Sequence, residues 1–144
     1  MKSWMWLRGL AVLLALFAAG HTLGTASPHV TRGAQEAAVF DAMQSFRFPI
    51  MGFSRSYWEF YRGLALTVTV LMFALAVMAW QIGAISRRVG RAALPLVITL
   101  QLACVGLLIV GWFFFFGAPI VFSAGAVVLS TVASVATARE PAAR

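Results

Sequence analysis

Charged residues are scarce: of 144 residues, 11 are Lys or Arg and only 4 are Asp or Glu, 10% in all. A soluble domain of this size carries about 25% charged residues, because its surface must be solvated. Lipid is the solvent that such a chain, 62% hydrophobic with a mean hydropathy of +0.91, can accept. There is one cysteine, Cys104, inside an apolar segment. That excludes an intramolecular disulfide and any thiolate metal cluster built by one chain; a small helix-buried residue is the simpler reading. Two histidines, His21 and His29, stand eight positions apart with Pro28 between them. A transmembrane haem needs histidines from two helices, and only the first apolar segment offers one. No resident cofactor or metal is expected, with a haem shared between subunits or a quinone headgroup as the exceptions. H-E-x-x-H, C-x-x-C, a phosphate-binding glycine loop and a nucleophile elbow are all missing.

What is present is four apolar stretches, each near the roughly 20 residues that a helix needs to cross a bilayer. They run over about residues 7–23, 61–85, 94–116 and 118–136. The expected fold is all-α: a polytopic membrane protein, a single membrane domain built as a bundle of four transmembrane helices. The last two stretches are separated only by the turn around Gly117 and Pro119, so they form an antiparallel hairpin, with Pro119 in the first turn of the fourth helix. Met1–Ser27 also has the marks of a signal peptide, with a basic start, an apolar run and small residues near Thr25–Ser27. The apolar run continues towards Leu23, which favours a retained first span.

The net charge of +7 does not point to nucleic acid, because the basic residues sit at the ends of the apolar segments. With the N-terminus inside, Lys2, Arg8, Arg87, Arg88, Arg91, Arg139 and Arg144 face the cytoplasm. Arg32, Arg47, Arg55 and Arg62 face out, together with Glu36, Asp41 and Glu59. The bias sets both termini in the cytoplasm. Trp4, Trp6 and Trp80 then mark the inner interface, and Tyr57, Trp58, Tyr61 and Trp112 the outer one. Ten Arg to one Lys fits a GC-rich bacterial genome, so the expected location is a bacterial cytoplasmic (inner) membrane.

The extracytoplasmic loop, about residues 24–60, is expected to hold a short amphipathic helix over Ala34–Phe46, started near Thr31. Val39, Phe40, Met43 and Phe46 form its apolar face. Residues 48–53 read as an apolar turn. Ser56-Tyr57-Trp58-Glu59 matches a capping box at the start of the second span, with Arg55 or Arg62 as ionic partners for Glu59. Ala126, Ser130 and Ser134 make a small-residue ridge for close helix packing. Thr67, Thr69, Gln81, Thr99 and Gln101 can bond between helices. No Asp or Glu sits mid-span, which argues against a small proton-coupled transporter.

The outer end gathers the unusual polar groups. His21 and Thr22 close the first helix at about the depth where Glu59, Tyr61 and Arg62 begin the second. The candidate ligand-binding residues are His21, Tyr57, Glu59, Tyr61 and Arg62, placed to meet a quinone, lipid or isoprenoid; catalytic residues are not identifiable. Gly20-His21-Thr22-Leu23-Gly24 and Met51-Gly-Phe-Ser-Arg-Ser-Tyr-Trp-Glu-Phe-Tyr-Arg-Gly63, with the four-span layout, resemble a group of small bacterial four-helix integral membrane proteins without assigned activity. The layout is also similar to that of DoxX-like membrane proteins. The resemblance implies the topology and directs attention to the same residues, with no substrate attached. An accessory protein packing with itself or a larger membrane partner is the first functional expectation. A binding protein or enzyme for a lipophilic molecule is the second, and a small transporter the third.

Overall fold

A computed structural model describes residues 2–141, and Arg144, counted above among the cytoplasmic cations, lies outside them. The order is α1 (Ser3–Ala26), α2 (Ala34–Ser45), β1 (Arg47–Ile50), β2 (Phe53–Ser56), α3 (Tyr57–Val89), a 3-10 turn (Arg91–Ala93), α4 (Leu94–Phe114) and α5 (Gly117–Arg139). Among the described residues four helices are long and apolar enough to cross a membrane, as the four apolar runs require. α1, α3 and α5 extend past their predicted spans, whereas α4 stops two residues short of its own, at Phe114. The 33 residues of α3 rise about 50 Å, well beyond a hydrocarbon core of about 30 Å. The extra turns carry the polar end signals: Glu59 in the first turn and Arg87 and Arg88 in the last, each sign matched to the helix dipole.

The chain divides into two compact units, one from Met1–Ala18 with Leu71–Arg144 and the other from Ala19–Val70. The first is the helical bundle. Its core sets large side chains of α1 (Leu7, Leu10, Leu14) against small ones from α3 and α5 (Ala76, Ala79, Ala126, Ala133). In lipid, apolar burial does not draw helices together, so close packing and hydrogen bonds must. The sequence supplies both. Gly83 of α3 lies against α1, where a Cβ on it would stand 3.3 Å from Leu7 Cβ and 3.5 Å from the Trp4 carbonyl. Ser3 and Ser86 share a short buried hydroxyl–hydroxyl hydrogen bond in the same seam. On the other flank α1 meets α5, through Phe17 stacked on Phe122 at 5.1 Å and the Ser3 N–H donating to Glu140 Oε1 at 2.8 Å.

The α4–α5 hairpin turns on Phe115 and Phe116, with Pro119 in the first turn of α5 as expected. Gln101 is satisfied on both ends of its amide: Nε2 donates to Thr131 Oγ1 at 3.0 Å, and Oε1 accepts from Ser134 Oγ at 2.7 Å. The ridge on α5 is buried (Ser123, Ala126, Ser130, Ala133, Ser134, Thr137), so its use is packing within the chain. Cys104 is a buried free thiol in this core. Of the other polar residues expected to bond across helices, Thr67 and Thr99 donate instead to Gly63 and Pro95 carbonyls of their own helices. A threonine facing lipid has no closer acceptor than the carbonyl one turn back. Gln81 is exposed.

In the second unit the stretch read as an apolar turn is a β-hairpin, with Arg47 opposite Ser56, Phe48 opposite Arg55, Pro49 opposite Ser54 and Ile50 opposite Phe53. Met51 and Gly52 form its loop at φ 49° and 84°, the positive pair that a two-residue hairpin loop needs. Pro49 sits beside the closing pair, where the alternation of an antiparallel ladder asks for no N–H. Glycine at the second loop position makes the turn possible. Methionine at the first hid it, because that site ordinarily takes Asn, Asp or Gly.

The helix expected over Ala34–Phe46 is α2, with two corrections. Its N-cap is Gly33 and no side-chain cap is made there; instead Glu36 reaches back to accept the Arg32 N–H. Its half-buried stripe is Glu36, Ala37, Phe40 and Met43, whereas Val39 and Phe46 are exposed. The i, i+4, i+7 stripe through Phe40 won because Phe40 meets two rings, stacking on His29 at 3.8 Å and edge-on to Trp58 at 5.4 Å.

Candidate functional site

The start of α3 is built from its capping box. Glu59 N–H donates to Ser56 Oγ at 3.1 Å and Ser56 N–H donates to Glu59 Oε2 at 2.8 Å, so two otherwise free backbone donors are satisfied reciprocally. The hairpin register brings Arg47 opposite Ser56, and Arg47 Nη2 then donates to Glu59 Oε2 at 3.3 Å. Arg47, rather than Arg55 or Arg62, is therefore the ionic partner of Glu59. Helical spacing alone could not supply it, since the contact passes through a β-ladder. Ser56→Ala should lower stability by about 1 kcal/mol, read as the unfolding midpoint in mild detergent. An unchanged midpoint would leave the cap without energetic weight.

The other predicted residues disperse. Tyr57 packs between rings, 5.9 Å from Phe46 and 4.9 Å from Phe48, which anchors the hairpin and the end of α2 to α3. Tyr61 stacks on Trp58 at 5.6 Å. Arg62 is exposed, with no ion pair among the described residues. His21 lies elsewhere: α1 continues one further turn to Ala26, and His21 Nδ1 is 3.0 Å from Thr69 Oγ1. Thr22 Oγ1 donates to the same Thr69 oxygen at 3.5 Å. Thr69 is ten residues past Glu59, about 15 Å along the helix, so the histidine is level with a buried threonine and not with the carboxylate. α1 runs three residues past its predicted end and α3 begins four before its predicted start, which together account for about 10 Å of that offset.

Glu59 also borders a shallow groove of about 560 Å³, lined by Arg55, Glu59, Phe60, Gly63, Leu64 and Thr67. Arg55 at its rim also lies over the Phe53 ring at 5.6 Å. Of these six the sequence offers only Glu59 as a ligand-binding candidate. The spacing 60, 63, 64, 67 is a helix-face signal that marks the rest. Among the described residues no group of three or more His, Cys, Asp or Glu could hold a metal.

Outside the spans one carboxyl is tuned. The Arg32 N–H most strongly holds Glu36 below its ordinary value of 4.5; desolvation opposes it, and the His29 imidazole (3.2 Å) and the Arg32 charge lower it further. A lowered folded value means that the ionised form is favoured on folding. Its support for the start of α2 is therefore full above pH 4.5 and is lost as pH falls through the lowered value. The Arg32 amide proton shift should titrate with a midpoint below 4.5, and the Glu36→Gln chain should show no such step.

Comparison with family models, curated proteins and solved structures yields no match to this chain.

Proposed function

We propose that the chain is a non-catalytic accessory component of a bacterial cytoplasmic membrane, associating with its own copies or a larger membrane protein through the α2–hairpin region on the outer side. The observation that carries this reading is the apolar tip of the hairpin. Met51 is 93% exposed and Phe53 63%, beside exposed Ile50 of the closing pair. Contiguous apolar surface outside a span marks an interaction site. Three polar side chains have structural partners: Glu59 in its cap, Glu36 at the start of α2, and Gln101 between α4 and α5. The excess of Lys and Arg at the proposed inner end supports the orientation with both termini in the cytoplasm, and the quoted motifs support kinship with the small four-helix membrane proteins.

The test is association in nanodiscs. The chain should form a discrete oligomer or retain a stoichiometric partner, and Met51→Asn with Phe53→Thr should abolish it. Asn favours the positive φ of the first loop position and Thr favours strands, so the hairpin survives while the tip loses its apolar surface. A parent chain that stays monomeric with no partner sinks the proposal.

A second reading has one observation in its favour, the groove along Phe60, Gly63 and Leu64 with Arg55 and Glu59 at its polar end. An amphiphile such as a quinone, lipid or isoprenoid fits that gradient. Gly63→Leu fills the groove, and co-purifying lipophilic molecules should be lost with it; unchanged retention counts against this reading.

A further inference from the structure

At the end of the bundle where α1 begins and α5 ends, a groove of about 610 Å³ runs along α5. Trp6, Val132 and Val135 line it, and Lys2, Arg139 and Glu140 stand at its polar end. Glu140 is held by the Ser3 N–H at 2.8 Å. Neither Lys2 nor Arg139 makes an ion pair among the described residues. The mouth thus carries two cations and one carboxylate, a local surplus of one positive charge. Val132 is seven residues before Arg139, so the apolar wall extends about 10 Å from the cations. That is the layout of a phosphate headgroup above the first methylenes of an acyl chain.

We infer that this groove is a binding site for an anionic phospholipid. Arg139 and Lys2 take the phosphodiester, and one chain lies on Trp6, Val132 and Val135. Arginine offers a planar fork that fits two phosphate oxygens, and lysine adds a point charge. Basic pockets between membrane helices bind such headgroups. The surplus of a single charge selects a monoanionic phosphodiester over a dianionic phosphate. The apolar wall selects a lipid over a free anion.

The experiment is native mass spectrometry of the full, delipidated chain titrated separately with phosphatidylglycerol, phosphatidylcholine and inorganic phosphate. Phosphatidylglycerol should be retained preferentially. Removing cations should weaken it about fivefold each, hence about 25-fold in Lys2→Gln/Arg139→Gln. Arg88→Gln, whose cation is outside the groove, should leave retention unchanged. Val135→Trp keeps both cations but blocks the wall, and should release the lipid even if the double variant does not fold. The inference is overturned if phosphatidylcholine binds the parent equally, or if Arg88→Gln loses as much as Arg139→Gln. Displacement of the lipid by millimolar inorganic phosphate, or full retention in Val135→Trp, also overturns it. The site shares no residue with the α3 groove and requires no association, so its failure leaves both readings above untouched.

Discussion

Gly83→Leu should split the bundle along its α1–α3 seam, lowering stability by about 3 kcal/mol, the upper range for overpacking. A Cβ at this position already stands 3.3 Å from Leu7 Cβ, 3.5 Å from the Trp4 carbonyl and 3.8 Å from Arg8 Cγ. Two of these neighbours cannot yield, since one is backbone and the other a Cβ fixed to it. A leucine must therefore push α1 outward, and the losses spread. The Ser3–Ser86 hydrogen bond opens, and the Arg8 guanidinium, 4.0 Å above the Trp80 ring, loses its stack. Leu7, Leu10 and Leu14, fully buried here, lose contact with Ala76 and Ala79. Unfolding in mixed detergent micelles, followed by tryptophan fluorescence, measures the effect. Gly106→Leu on α4 is the matched control, because nothing lies within 4 Å of its Cβ position; it should stay within about 0.5 kcal/mol of the parent. If the two variants unfold together, Gly83 is not a packing residue.

Gly90→Ala should cost about 2–4 kcal/mol. Its backbone stands at φ 55° and ψ −129°, a combination that side chains avoid, and such strain alone costs of order 1–3 kcal/mol. An added Cβ would also run into the Pro141 carbonyl oxygen. That carbonyl accepts the Arg91 N–H at 3.4 Å, so the clash loosens the seat of the 3-10 turn from which α4 starts. Gly63→Ala is the contrast. That glycine is helical with open space around it, and alanine there should stabilise the helix by up to about 1 kcal/mol. An equal response at both sites, read by the same unfolding assay, would remove the special role of Gly90.

The contrast between these glycines shows how much was legible beforehand. Gly83, Gly90 and Gly106 are indistinguishable as letters, for only the neighbour across the seam tells which of them may grow. The capping box at Ser56–Glu59 was legible to the atom, because both partners are three residues apart on one chain and no distant element is involved. Arg47 was not, because its route to Glu59 runs through a hairpin whose first loop residue is a methionine. His21 was recognised as unusual but given the wrong level. A helix end read from an apolar run is uncertain by a turn, and here the ends of both α1 and α3 moved, each turn shifting the register by about 5 Å along the axis.

By itself the sequence determined what bilayer physics dictates locally. Four apolar runs each long enough to cross, too few charges for a water-facing surface, basic ends, and the reciprocal cap at α3 all follow from residues near one another in the chain. Only the tertiary structure decided which side chains face which. It put the leucines of α1 against the alanines of α3 and α5, bonded Gln101 to Ser134 and Thr131, and set His21 on Thr69. It also laid an apolar wall beside Lys2 and Arg139. In a membrane the apolar pattern says that a helix is buried in lipid but not which face meets a neighbour, since lipid and leucine are equally apolar. That choice is left to close packing and a few hydrogen bonds, whose partners lie tens of residues apart.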